Sequence, residues 1–251
     1  MRKLTTADKV GKQHGEFKIE ILFPGKALGH ADSGLGTIGR IDHAHIGAGT
    51  LVPMHPHRDD EILTYLRSGK VQHRDSEGHY ELLSADRFMM MNAGSTFSHE
   101  EQVLADSGEQ EALQIFLRPS KSGLPPQVQF YALPTKYSLN QWRALAGPDA
   151  SFPLLVRSQT WVYDARLDSG TSLALPPAPA ANVTSLLYVF DGEVVVNDDL
   201  RLTKGESLLL ENETAQIVAG PTTDLVLFVT DPNSPYSAEG MFSGNQLRKR
   251  L

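Results

Sequence analysis

The chain has 251 residues, a formal net charge of −7 and 40% hydrophobic residues, enough for one large or two ordinary domains with sizeable cores. Its Lys and Arg residues are scattered, so the electrostatic footprint of a direct nucleic-acid binder is missing. It has no cysteine, which excludes disulfides, iron–sulfur clusters and thiol catalysis and fits a reducing compartment.

The segment from Met1 to Val10 lacks an apolar core of signal-peptide length, and no apolar run is long enough to span a bilayer. A soluble cytoplasmic protein with no membrane partner is expected. Residues 1–30 are polar apart from two short apolar patches, Phe17 to Ile19 and Ile21 to Phe23, and read as a leading arm with one strand. From Leu35 short strands follow one another: Thr37 to His45, Thr50 to Met54, Glu61 to Arg67, Lys70 to Asp75, His79 to Leu83, Arg87 to Met91 and Ala112 to Leu117. Asp75-Ser76-Glu77-Gly78 is a hairpin turn by its chemistry. Many short strands separated by turn residues predict a sandwich or barrel.

Residues 118–137, rich in Pro, Ser and Lys, read as a connection. Ser138 followed by Gln141 has the form of a capping box, and Gly147-Pro148 supplies a stop, which predicts a short linking helix over residues 138–146. The strand pattern then resumes: Leu154 to Ser158, Trp161 to Leu167, Ser185 to Phe190, Glu193 to Asn197, Ser207 to Glu211, Ala215 to Ala219 and Leu225 to Thr230. The expected division is residues 1–137 and 138–251.

The chemistry concentrates in the first half. In one extended strand His55, His57 and Glu61 share a parity and would face the same way. Two imidazoles and a carboxylate make half of a site for a first-row divalent metal, and the lack of thiolates argues against a zinc finger. The second half of the site is offered by His99 and Glu101, which again share a parity. Asp42-His43-Ala44-His45 is a rival His-x-His without a following acid, and reads as a polar strand face. His73 and His79 flank the hairpin turn and are expected to be solvated; His14 and His30 carry no pattern.

An internal repeat supports this asymmetry. Tyr188 to Val194 echoes Tyr65 to Val71 at an offset of 123, which carries Met54-His55-Pro56-His57 onto Pro177-Ala178-Pro179-Ala180. At a nearby offset of 120, Ala85-Asp86 falls on Gly205-Glu206, His99 on Ala219 and Glu101 on Pro221. No histidine follows His99. The second half reads as a copy whose site has been erased.

Gly49, His55-Pro56-His57, Glu61, Gly69, Gly94 and His99 resemble the two signature motifs of the cupin superfamily. More narrowly, His55-Pro56-His57-Arg58, Glu61, Thr64-Tyr65, Gly69, His73-Arg74-Asp75-Ser76, Ala93-Gly94 and His99-Glu100-Glu101 resemble the pirin family, which includes bacterial quercetin 2,3-dioxygenases. The segment from Pro232 through Phe242 is similar to the pirin C-terminal segment. The resemblance implies an all-β bicupin, two β-sandwich (jelly-roll) cupin domains, with one metal in the first, held by His55, His57, His99 and Glu101. Many cupins use the acid of the first motif, which leaves Glu61 as the alternative carboxylate or as an outer group steadying an imidazole.

Fe(II) is the expected metal, with Mn, Ni, Co, Cu and Zn compatible with the same donors. The implied activity is ring-opening of a flavonol-like small aromatic substrate by O2, with release of carbon monoxide and with Glu101 accepting a proton. Phe88, Met90 and Phe97 would shape an aromatic-accepting pocket. Asp59-Asp60 and Met89-Met90-Met91 depart from the family pattern and are expected near its mouth. The alternative is a non-catalytic, metal- or redox-responsive regulatory protein that binds a protein partner.

Overall fold

The computed structural model describes residues 1–248, so the last three residues of the expected second half lie outside it. Its strands are β1 (Arg2–Leu4), β2 (Val10–His14), β3 (Phe17–Leu22), β4 (Ile38–Ile46), β5 (Leu51–His57), β6 (Glu61–Ser68), β7 (Val71–Asp75), β8 (Tyr80–Leu83), β9 (Arg87–Asn92), β10 (Phe97–Val103), β11 (Gln110–Leu117) and β12 (Gln127–Ala132). They continue as β13 (Arg143–Gly147), β14 (Leu154–Leu155), β15 (Thr160–Leu167), β16 (Ser172–Ala174), β17 (Thr184–Asp191), β18 (Glu193–Val196), β19 (Leu200–Thr203), β20 (Ser207–Glu211), β21 (Gln216–Ala219) and β22 (Thr223–Thr230). A single α-helical turn, α1 (Pro24–Ala27), and a 3-10 turn at Thr6–Asp8 complete the regular elements.

Four sheets stack as layers. The first half forms a seven-stranded sheet, β12-β9-β6-β11-β4-β3-β2, and a four-stranded sheet, β5-β10-β7-β8. The second half, joined by β1 from the N-terminus, forms β1-β20-β17-β22-β15-β13-β14 and β16-β21-β18-β19. The period of two in each strand decides which layer a residue enters. In β6, Ile62 and Leu66 point into the first sandwich with Met89, Met91 and Phe116. Leu63 and Tyr65, one residue out of phase, meet Leu186, Tyr188, Val226 and Phe228 of the second half. The central strands are therefore buried on both faces, and they read as nearly continuous apolar runs.

The offset of 123 carries β6 onto β17 residue for residue. It also carries Gly69 onto Gly192, and both turn glycines have positive φ, 75° and 86°. A Cβ at Gly69 would lie 2.8 Å from the Gln110 Cα, and one at Gly192 2.4 Å from the Thr223 hydroxyl. Only glycine fits such a turn without a shift of the chain.

Three expectations are corrected. The leading arm has three strands rather than one, and β1 pairs with β20 in the other half. The connection over residues 118–137 contains β12, which extends the first sheet against β9. The linking helix over 138–146 is absent: Asn140 sits at φ 56°, Leu139 bridges to Arg166, and Arg143 to Ala146 pair with β15. The Ser138 hydroxyl donates to the Gln141 carbonyl instead of accepting from a helix N–H. Strand pairing and burial of Leu145 and Ala146 between the halves override a local capping signal.

Charge also crosses between the layers. The fully buried carboxylate of Asp164 on β15 accepts from the Arg67 guanidinium of β6 at 2.6 Å and from Arg143 at 2.7 and 2.9 Å. Truncating Asp164→Ala leaves Arg67 buried without a counter-charge. The expected cost is about 3–5 kcal/mol, measured as a lower urea midpoint with an unchanged slope.

Candidate metal centre

The centre is built on the four-stranded sheet of the first half. β10 lies between β5 and β7, and the ladder sets His99 directly opposite His55 and Phe97 opposite His57. The three imidazoles of His55, His57 and His99 come together with ring centroids 4.4–4.9 Å apart. The Nε2 atoms of His57 and His99 face each other at 3.0 Å. Nδ1 of His55 lies 2.8 Å from the Pro53 carbonyl; donation there turns the Nε2 lone pair inward.

Glu101 follows His99 on β10 and joins a second, overlapping group with His99 and His73. A β-bulge between His99 and Glu101 shifts the pairing with β5, so the carboxylate approaches from the β7 side. The donor set passes a physical test of fit. The Nε2 atoms of His57 and His99 are turned on one another, and Glu101 Oε1 is buried without a hydrogen-bond partner, an unsatisfied carboxylate oxygen that a cation beside it would relieve. Burial, reinforced by the neighbouring imidazoles, pushes the His99 pKa far down, and burial also lowers that of His55. Both are therefore neutral, as ligands must be. Burial pushes the Glu101 carboxyl up to about 7.

Glu61 is not at this centre. Its shared parity with His55 and His57 holds only if one strand runs through, but Arg58 to Asp60 form a turn with Asp59 at φ 53°, and Glu61 opens β6 in the other sheet. Its carboxylate faces the second half, accepting from Arg157 Nε at 2.8 Å and from the Asn92 amide. The outer carboxylate beside the imidazoles is Asp60, with Oδ2 3.6 Å from His57 Nδ1. Asp60 is fully buried and accepts from the backbone N–H of Phe242 and Ser243 and from the Ser243 hydroxyl, at 2.7–3.1 Å. The signal in the sequence is an acid three residues after His57, one position before Glu61.

His73 and His79 are not solvated free side chains either. His73 is fully buried, and its Nε2 lies 2.8 Å from Asp75, whose carboxylate also contacts His79 Nδ1 at 3.1 Å. Desolvation alone would raise the Asp75 pKa, but these imidazole and backbone hydrogen bonds hold it below the usual range.

A cavity of about 300 Å³ opens beside His55, His57 and Glu101. Its walls are Phe17, Ile19, Phe116 and, from the C-terminal tail, Phe242, with the Phe242 ring 5.1 Å from that of His57. The expected pocket residues are elsewhere. Phe88 and Met90 are in the layer between the halves, because their parity on β9 turns them away. Phe97 is buried against His99 and does not line the cavity. Met89 and Met91 are core of the first sandwich, not its mouth, and Asp59 anchors the loop by accepting from Gly123 N–H.

Fold and site together define a bicupin, with a three-histidine cluster in its first sandwich and an overlapping group that adds Glu101 and His73 to His99. The Pirin family model matches residues 14–117. The crystal structure of YhhW from Escherichia coli superposes with a TM-score of 0.77 at 25% identity, covering 92% of this chain and 97% of that one. YhhW has also been crystallised in complex with nickel(II). A quercetin 2,3-dioxygenase from Acinetobacter baumannii matches with a TM-score of 0.75 at 26% identity, over 92% of this chain and 86% of that one. In sequence, a quercetin 2,3-dioxygenase of Escherichia coli is 37% identical over 84 residues, 34% of this chain and 36% of that relative. The chain is thus similar to the pirin family in sequence over residues 14–117 and to bacterial pirins in fold over most of its length.

Two outcomes follow. Because Glu101 must lose its proton to ligate, metal uptake is expected to release one proton below about pH 7. The apparent affinity falls by about tenfold per pH unit as pH drops below that value, and Glu101→Gln abolishes this slope in calorimetric titrations run in two buffers. Asp60→Ala frees both the tail and the His57 ring, and metal affinity is expected to fall about 10–100-fold in chelator competition.

Proposed function

We propose that the chain is a metal-dependent dioxygenase of the quercetinase type. The observation that carries this reading is the convergence of three inward-facing imidazoles at one end of a largely apolar cavity that also contains a carboxyl of raised pKa. His55, His57, His99 and Glu101 would hold one Fe(II), with Mn, Ni, Co, Cu or Zn compatible with the same donors. When bound, the ion supplies Lewis acidity and redox chemistry toward dioxygen.

The protein's own residues do the rest. Phe17, Phe116 and Phe242 present aromatic surface to a planar substrate and keep water from the imidazoles. Glu101, kept ionised beside the bound cation, would take the proton of the flavonol hydroxyl. The overall change adds dioxygen to the ring, opens it and releases carbon monoxide. In this reading residues 1–137 carry the reaction. Residues 138–251 are a metal-free copy, since all nine histidines precede residue 100 and the corresponding cavity of the second half is lined by Pro177, Ala178, Pro179 and Ala180. The absence of cysteine supports a cytoplasmic location, and among the described residues no helix is long and apolar enough to cross a membrane.

The test is elemental analysis of anaerobically purified protein beside oxygen consumption with quercetin. One redox-active ion per chain with oxygen uptake is the expected result; His57→Ala loses both. Glu101→Gln, compared at equal metal occupancy, lowers kcat by about 10²–10⁴-fold. A bound metal with no uptake on any flavonol would assign the chain to the non-catalytic, partner-binding reading. Metal content unchanged in His57→Ala would remove the centre from these residues.

A further inference from the structure

The seven-stranded sheet of the first half carries, on its face toward the second half, a second cluster that the dioxygenase reading does not use. His43 and His45 on β4 share the parity of Ile41, so they look toward the second half while Arg40, Asp42 and Ala44 look into the cavity. Glu111 on β11 lies directly across the ladder from His45, with His43 opposite Leu113. All three side chains are thereby on one face. Glu111 Oε1 lies 3.0 Å from His43 Nε2 and 3.6 Å from His45 Nε2.

We propose that His43, His45 and Glu111 form a second divalent-metal site, of the kind that takes Zn, Ni or Cu(II), at the rim of the interface between the halves. Nitrogen and oxygen ligands at about 2.0–2.1 Å in a tetrahedral shell stand about 3.4 Å from one another, and the two Glu111 distances bracket that value. The distal nitrogens are held as ligating histidines usually are. His43 Nδ1 is 2.9 Å from the Tyr188 hydroxyl, and His45 Nδ1 is 3.3 Å from Glu109 Oε1. A carboxylate behind His45 favours the tautomer with its proton on Nδ1 and leaves Nε2 free to ligate. The His45 side chain is 29% exposed, which gives an ion a way in from solvent and a position for water.

A cation already stands at this carboxylate. Lys204 Nζ, from the second half, is 2.7 Å from Glu111 Oε1 and 3.2 Å from Asp191 Oδ1. An arriving ion displaces the ammonium to Asp191, so Lys204 and the metal compete for Glu111. Loading the site exchanges an ion pair between the halves for coordination within the first half. This competition sets the sign of the test, and the proposal stands whether or not the chain turns over a flavonol.

The experiment is calorimetric titration of the full chain with zinc chloride, comparing wild type, His57→Ala, His45→Asn and Lys204→Met, with thermal unfolding of each as a control on folding. Wild type is expected to take two equivalents. His45→Asn, a change at a partly exposed side chain, takes one. Lys204→Met takes two, with the weaker step tightened tenfold or more, and His57→Ala keeps the step that Lys204 opposes. The proposal is overturned if wild type and Lys204→Met both saturate at one equivalent, or if His45→Asn retains the second step unchanged.

Discussion

The apolar layer shared by the two seven-stranded sheets is the constraint on which the rest of this structure depends. Leu63, Tyr65, Phe88, Met90, Leu113 and Ile115 on one side meet Leu186, Tyr188, Phe190, Val226 and Phe228 on the other. Each central strand is consequently apolar on both faces and can offer few polar side chains to a reaction. The cluster of His55, His57 and His99 is instead built on β5 and β10 of the four-stranded sheet, where β5 is largely open to solvent on one face.

A layer buried on both sides still has to be aligned, and apolar contact is not directional. The alignment is polar. Asp164 binds Arg67 and Arg143, Glu61 binds Arg157 and Asn92, and the Thr37 hydroxyl meets that of Thr230 at 2.7 Å. The Asp164–Arg67, Glu61–Arg157 and Thr37–Thr230 contacts each join a residue of the first half to one of the second. Burial raises the Glu61 pKa, against the opposing pull of Arg157 and Asn92, so this contact carries a desolvation cost. Its return is geometric: a carboxylate facing a guanidinium fork tolerates little sliding of one sheet over the other.

The strand succession, the repeat and the convergence of His55, His57 and His99 were legible in the sequence because each rests on a local regularity: parity, turn glycines, and an offset that survives in Tyr65 and Tyr188. What was not legible depends on where a strand stops. Parity counted through Arg58 to Asp60 put Glu61 beside His57; one residue at positive φ, Asp59, ends β5, and the count restarts in another sheet. The same limit hid His73. A histidine next to a hairpin turn looks solvated until β7 is known to lie beside β10, which buries it against His99 and Glu101. The false helix at 138–146 shows the reverse case, a sound local capping signal overruled by pairing with β15.

The tail supplies the last link between the halves and the chemistry. After β22 the chain leaves the second half and returns to the first. There Met241 N–H donates to the Arg58 carbonyl, and Phe242 and Ser243 N–H donate to Asp60. Asp60 thus has two duties: one oxygen lies near His57 Nδ1, and the carboxylate as a whole holds the segment that places Phe242 in the cavity wall. The Arg40 guanidinium lies over both the Phe116 and Phe242 rings, 4.9 Å from each, and is itself paired with Asp42. Cavity shape and ligand orientation therefore share one buried carboxylate. A change in the tail reaches the imidazoles through Asp60 without touching them, which is why the C-terminal segment belongs to the site although it begins in the half that has no histidine.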